Sequence, residues 1–160
     1  MSGVGVKVLP PERVAYLVRK GEYNALAVAF RDLAAWVREK GLEPAGPPVL
    51  VYLSNPGGVP PAFREWELQI PVAGEAVPNE GEAGTGIKEV AGREVVFTTS
   101  RGGYTTIEIL LPALFQALYD RGYRLAGPAE EVYPPDFPEV QMEKMATEVR
   151  FPVVARKKQQ

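Results

Sequence analysis

The feature that most constrains this chain is that it matches itself. Slid along itself by 81 positions, the interval from Gly21 to Gly102, the sequence aligns without a gap. Lys7 then meets Lys88, Val14 meets Val95, Tyr23 meets Tyr104, Leu33 meets Leu114 and Gly41 meets Gly122. The turn Ala45-Gly46-Pro47 meets Ala126-Gly127-Pro128, and Val51-Tyr52 meets Val132-Tyr133. The register holds to the end, where Glu67, Pro71 and Val72 meet Glu148, Pro152 and Val153. A gapless register whose matches gather at turns and strand ends indicates an internal duplication, and a repeated unit buries its apolar face against its neighbour. We therefore expect a single domain over residues 1–160: repeat one at 6–72, a linker at 73–86, repeat two at 87–153 and a short basic tail at 154–160.

Each repeat has the same internal plan. Residues 4–9 and 12–19 are apolar, β-branched runs flanking Pro10-Pro11, the pattern of two strands joined by a tight turn. Residues 22–40 place Leu26, Phe30, Leu33 and Val37 on one helical stripe, and Gly41 stands where a C-terminal cap belongs. Residues 49–54 and 63–72 again read as strands, separated by a loop containing Gly57, Gly58, Pro60 and Pro61. The second repeat predicts a helix over 104–121 with the stripe Ile107, Leu111, Leu114 and Leu118, and Pro112 removes one backbone donor inside it. The segment from Gly74 to Gly86, rich in Gly, Glu and Pro, reads as a solvated linker. The expected fold class is α+β: two pseudo-twofold β-α-β-β units form one antiparallel sheet, with two long helices on one face and a ligand cleft on the other.

Composition narrows the chemistry. The chain has no cysteine and no histidine, which removes disulfides, thiolate metal sites, thiol nucleophiles and the commonest general base. Any reaction has to run on carboxylates, tyrosines or lysines, and no cofactor or metal is expected. A net charge of −2, with the one basic run at Arg156, Lys157 and Lys158, argues against direct nucleic-acid binding. No apolar run approaches roughly 18 residues, so a cytoplasmic protein with no membrane partner is expected. The glycine-bearing stretches lack the strand, loop and helix order that cradles phosphate, so no nucleotide site is expected.

Strand parity then sorts the candidate site. Trp66, Leu68, Ile70 and Val72 alternate with Glu67, Gln69 and Pro71, and Val149, Phe151 and Val153 alternate with Glu148 and Arg150. Two glutamates thus occupy equivalent positions on the face predicted to lie opposite the helices, and parity within their own strands assigns Tyr52 and Tyr133 to that face as well. A glutamate alternating with apolar residues is also the ordinary solvent face of an antiparallel sheet. The repeated pairing of Glu with a strand tyrosine, together with Tyr16, Phe63, Trp66, Phe97 and Phe137 outside the helix stripes, favours an aromatic cleft holding an acid. Such a cleft suits a small organic cation, because aromatic faces add about 0.5–2 kcal/mol of cation–π attraction to the carboxylate's counter-charge. Met142 and Met145, before the last strand, fit a ligand gate or, more simply, core filling.

The residues Gly21-Glu22-Tyr23, the run from Gly41 through Pro48 into Val51-Tyr52, and Glu67 through Val72 resemble the GyrI-like small-molecule-binding domains. The second half repeats that signature with Gly102, Tyr104, Ala126-Gly127-Pro128, Val132-Tyr133 and Glu148 through Val153. The resemblance implies an effector-binding module of the kind fused to MerR-type and AraC-type transcription regulators, here as a stand-alone member. It implies a glutamate that anchors lipophilic cationic drugs, for which Glu148 is the nearest candidate and Glu67 its pseudo-symmetric partner. Tyr52, Trp66 and Tyr133 would be walls of the cleft, with Tyr16, Phe97, Phe137 and Met145 completing the expected ligand-binding set. Sensing or sequestration of amphipathic, lipophilic, cationic aromatic compounds is the reading that follows, with no catalytic residue assigned. The alternatives are a hydrolase of cyclopropane-bearing alkylating toxins, with Glu148 and Glu67 activating water, and an interaction protein whose partner is a transcription regulator or gyrase.

Overall fold

The structure is a computed structural model that describes residues 3–54, 58–74, 79–80, 84–101, 107–140 and 145–156. Gly102, Tyr104, Gly57 and Met142, singled out above, lie outside the described residues. The first half runs β1 (Gly5–Leu9), β2 (Glu12–Lys20), a short 3₁₀ turn at Tyr23–Ala25, α1 (Leu26–Glu39), β3 (Glu43–Pro44), β4 (Val49–Tyr52) and β5 (Glu65–Ala73). The second runs β7 (Thr85–Val90), β8 (Arg93–Arg101), α2 (Ile107–Asp120), β9 (Tyr123–Leu125), β10 (Glu130–Val132) and β11 (Ala146–Ala155), after a two-residue β6 (Asn79–Glu80). The order of elements is thus the same in both halves. The expected linker is not wholly loop: β6 pairs with β7, and β7 already begins at Thr85. The short edge strands β3 and β9 carry too few residues to leave an alternating pattern.

All pairings are antiparallel, in the order β1-β8-β11-β10-β4-β5-β2-β7-β6, with β3 on β5 and β9 on β11. The halves meet where β4 and β10 lie side by side. The two strands read on either side of Pro10-Pro11 exist, but they do not form a hairpin. β1 pairs instead with β8 of the other half, and β7 pairs with β2. Two prolines in a row supply no N–H with which to begin a hairpin ladder, and the exchange ties each half to the other through backbone hydrogen bonds. Each exchanged strand lays a glycine across from a ring: Gly5 opposes Phe97, and Gly86 opposes Tyr16. Gly5 is needed there, because a Cβ would sit 2.7 Å from Phe97 Cζ.

Both helices bury their stripes in a core shared with the sheet. Leu26, Leu33 and Val37 of α1 and Leu114 and Leu118 of α2 join Leu68, Ile70, Val96, Val149 and Phe151 in one cluster. Phe30, expected at the centre of the α1 stripe, and Leu111 of α2 pack at the edge of that cluster. α1 ends as its sequence indicates: Gly41 takes φ +72°, and Leu42 N–H reaches back to Val37 O at 3.1 Å, the bond that closes a helix C-terminus. Among the described residues no helix is long and apolar enough to cross a membrane.

Because a new Cβ at position 5 would collide with a ring, Gly5→Ala is expected to lower stability by about 1–3 kcal/mol. Combined with Phe97→Ala, which empties the space, the same substitution should cost less than it does alone. A double-mutant cycle by thermal or urea unfolding measures this, and simple additivity of the two changes would show that the contact is not limiting.

Candidate functional site

Cross-strand register assigns each site residue to a face, because directly opposed residues on neighbouring strands project to the same side. Tyr52 lies opposite Trp66 and Val51 opposite Glu67. Tyr52 therefore shares the helix-covered side with Trp66, Leu68 and Ile70. This corrects the expectation that Tyr52 and Tyr133 lie with Glu67 and Glu148: parity within each strand was right, but the offset between strands was one residue from the assumed one. The sequence-predicted residues divide into two groups, one on each face of the sheet.

On the helix-free face, Glu67 and Glu148 do occupy equivalent places, and neither is an open solvent residue. Glu67 is buried, with its oxygens taken by Lys88 Nζ at 2.8 Å and Gln69 Nε2 at 2.6 Å. Glu148 takes Lys7 Nζ and, at 3.3 Å, Arg150 Nη1. The strand exchange supplies both lysines, since Lys88 sits on β7 beside β2, and Lys7 on β1 beside β8. The same two lysines cover Tyr16 and Phe97, with Nζ 4.7 Å and 4.3 Å from the ring centroids. These rings are thus occupied by cations of the chain itself. Next to Glu148, Glu130 is buried and receives Arg93 at 2.7 Å and Arg150 at 2.9 Å on the same oxygen. A groove does open on this face, of about 790 Å³, with Glu67 in its lining but not Glu148.

The helix-covered face holds the acid that sequence reading missed. Glu131, at the middle of β10, is 0% exposed. Its flanking neighbours are Leu50 on one side and Val149 on the other, both fully buried and apolar. Three hydroxyls hold it: Tyr52 donates to Oε1 at 2.5 Å, Tyr133 donates to the same oxygen at 3.3 Å, and Thr147 donates to Oε2 at 2.6 Å. No ion pair among the described residues includes Glu131. Burial pushes its carboxyl pKa up from the usual 4.5, and the hydrogen bonds from Thr147, Tyr52 and Tyr133 offset only part of that. Tyr52 is pushed well above its ordinary value, first by burial and then by the neighbouring Glu131, so it remains a donor.

Aromatic packing builds the walls. Tyr23 meets Tyr52 edge to face at 5.4 Å, Phe137 lies against Tyr133 at 4.7 Å, and Phe30 of α1 meets Phe137 edge to face at 5.3 Å. Arg64 covers the outer side of Tyr23 at 4.7 Å. Trp66 is buried and donates its indole N–H to Gly21 O at 3.1 Å, where Gly21 takes φ +134° at the turn toward α1. Met145 is 2% exposed and belongs to the core. A small pocket of about 250 Å³ lies between α2 and the sheet, with Tyr52, Phe115 and Phe151 in its wall. Among the described residues, Tyr52 is the side chain that both lines this pocket and touches Glu131.

One signal in the sequence pointed to Glu131. At the equivalent place in the first half stands Leu50, so a carboxylate occupies a position that the other half keeps apolar. The pair Glu130-Glu131 obscures it, because adjacent strand residues face opposite ways and only one of the two can belong to the helix side.

A buried carboxyl with a raised pKa stabilises the fold below its unfolded value of about 4.5, and that contribution is lost as pH rises through the folded value. Glu131→Gln removes the ionisation while keeping an acceptor for the tyrosines. Its melting temperature relative to the unaltered chain should therefore rise between pH 4 and pH 8. A difference that stays flat across that range would show that Glu131 does not ionise as described.

Residues 4–154 match the profile of the GyrI-like small molecule binding domain. No curated protein matches. Among solved structures, the chain is similar to the C-terminal domain of EcmrR, at 17% identity and TM-score 0.80, over 97% of this chain and 99% of that one. A hydrolase from Listeria innocua shares 15% identity at TM-score 0.71, over 96% and 92% of the two chains. SAV2435, solved bound to tetraphenylphosphonium, shares 12% identity at TM-score 0.54, over 95% and 94%.

Proposed function

This chain belongs to the GyrI-like small-molecule-binding family, and we propose that it binds lipophilic aromatic cations with Glu131 as their counter-charge. The observation that carries this reading is a fully buried carboxylate held by three hydroxyls, walled by rings, with no cation of the chain paired to it among the described residues. An isolated buried charge is costly, so the empty site favours the neutral acid. An arriving organic cation supplies the missing charge, and each tyrosine face in contact adds about 0.5–2 kcal/mol. The pocket beside Tyr52 offers a route in this reading, since Tyr52 both lines it and touches Glu131. The tetraphenylphosphonium bound by SAV2435 has the same chemistry: a delocalised cation wrapped in aromatic rings. In this reading the two halves are duplicated units, and the second carries the acid.

A hydrolytic role would draw on the raised pKa of Glu131, which suits a general base. It would also require a water on the carboxylate, where three hydroxyls already take three of about four acceptor positions. The arrangement therefore favours binding over turnover.

Titration with tetraphenylphosphonium, followed by calorimetry, tests the proposal. We expect one saturable site that weakens roughly tenfold or more in Glu131→Gln, about the cost of losing a buried charge partner. Glu67→Gln and Glu148→Gln should change affinity by less than about threefold, because their charges are matched by Lys88 and Lys7. Affinity should rise with pH, since binding selects the ionised carboxylate, and protons should be released on binding. Equal affinity for neutral triphenylphosphine oxide, or an unchanged affinity in Glu131→Gln, would overturn the reading.

A further inference from the structure

The pocket between α2 and the sheet, of about 250 Å³, has a counterpart beside α1 that the chain fills with a ring of its own. α1 (Leu26–Glu39) and α2 (Ile107–Asp120) stand 81 positions apart, and so do Tyr52 and Tyr133. At that offset the pocket residues Leu111, Tyr52 and Leu53 correspond to Phe30, Tyr133 and Pro134. Phe137 reaches all three counterparts. Its ring lies against Tyr133, with centroids 4.7 Å apart and planes tilted by 31°, and it meets Phe30 edge to face at 5.3 Å. Its backbone N–H donates to Pro134 O at 3.0 Å. Only 4% of Phe137 is exposed, so the ring is enclosed there. In the sequence, the position that corresponds to Phe137 beside α2 is Pro56, which carries no aromatic ring.

The lining beside α2 suits the same kind of group. Among the described residues none of its side chains is charged, and its one hydroxyl, on Tyr52, is already given to Glu131. Leu53, Phe115 and Leu125 of the lining are 45%, 41% and 42% exposed. Large apolar side chains gathered in the open around one hollow mark a binding surface, whereas the same residues scattered singly would not. A dry cavity of about 150 Å³ lined by leucine, isoleucine and phenylalanine is enough for benzene, so about 250 Å³ takes one six-membered ring and not two. We propose that this pocket is the seat of a single uncharged aryl ring, laid against Tyr52 as Phe137 is laid against Tyr133. The proposal deepens the reading above and rests on it for one point, that the ring belongs to a cation whose charge is held at Glu131. Charge complementarity then orients the ligand: the uncharged pocket takes the ring, and the carboxylate that Tyr52 touches takes the positive centre. The favoured class is a cation with a pendant flat ring, in preference to a compact or purely aliphatic one.

The probe for the seat alone is neutral fluorobenzene, titrated into the full chain and followed by fluorine NMR. The expected result is one saturable site, with nuclear Overhauser contacts from the probe to the methyl groups of Leu111 and Leu125. Ala129→Leu, which enlarges a side chain of the lining, should weaken the probe roughly tenfold or more, the scale of losing most of one ring's burial. If that variant fails to fold, Leu125→Ala at the exposed rim decides, with a loss of roughly threefold or more. Phe137→Ala should open the counterpart beside α1 to a second molecule of the probe. For the ligand class, benzyltrimethylammonium should bind roughly threefold or more tighter than (cyclohexylmethyl)trimethylammonium, the scale of an aromatic pair beyond the area it buries. Binding that does not saturate, probe contacts elsewhere, or full affinity in a folded Ala129→Leu or in Leu125→Ala would overturn the proposal. So would a folded Phe137→Ala that still takes one probe molecule, or equal affinity for the two ammonium compounds. Fluorobenzene carries no charge, so its failure to bind leaves the effect of Glu131→Gln on tetraphenylphosphonium standing, and failure of that effect leaves the ring seat standing.

Discussion

Everything in this molecule is arranged around a short antiparallel seam. β4 and β10 oppose each other over only three residue pairs, Val49 to Val132, Leu50 to Glu131 and Val51 to Glu130. The seam is extended at each end by one matching bond, Tyr52 N–H to Ala129 O and Tyr133 N–H to Pro48 O, both 2.9 Å. So short a ladder is a weak join by itself. The exchanged strands reinforce it, since β1 of the first half adds to the second and β7 of the second adds to the first. The seam also fixes geometry: it sets the two tyrosines at its opposite ends, on the same face as the residues at its centre.

From that placement the two faces acquire opposite electrostatic characters. On the helix-free side the exchange brings Lys7 and Lys88 to Glu148 and Glu67, so the acids there are neutralised within the chain. On the helix side, among the described residues, no cation pairs with Glu131, and its hydrogen bonds come from three hydroxyls. A hydroxyl can satisfy a lone pair but cannot cancel a charge, and burial makes the difference expensive. The matched acids serve cohesion between halves. The unmatched one is held in place without being charge-neutralised, the condition under which a ligand's charge counts most.

Much of this was legible in the sequence. The offset of 81 positions gives the element order, the helix stripes and the Gly41 cap, all of which local periodicity encodes. Alternation in residues 66–72 and 148–153 assigns each of those strands its apolar side, and the structure buries those sides against the helices. What local pattern does not encode is the pairing between strands. The prolines at 10 and 11 suggested a turn, but nothing in their neighbourhood says that β1 continues to a partner on the other half. The registry of β4 against β5 was equally hidden, and a one-residue difference there moved Tyr52 to the other face. Met145 illustrates the reverse: the simpler reading as core filling needs only apolar surroundings, and it has them.

The departure from symmetry is where the specific chemistry resides. Had both halves carried leucine at the centre of the seam, Tyr52 and Tyr133 would lose the carboxylate that accepts from both, and a buried hydroxyl left without an acceptor costs about 1–3 kcal/mol. Had both carried glutamate, two carboxylates would face each other across one strand spacing, and they could not both ionise. One glutamate opposite one leucine satisfies two tyrosines with a single acceptor. The exchange of Trp66 for Thr147 at the equivalent place in β11 supplies the third donor on the side that needs it, while the tryptophan fills the side that does not. The two halves share one order of elements, and their differences at the positions of Leu50 and Trp66 leave a single buried carboxyl, held by three hydroxyls, on the helix-covered face.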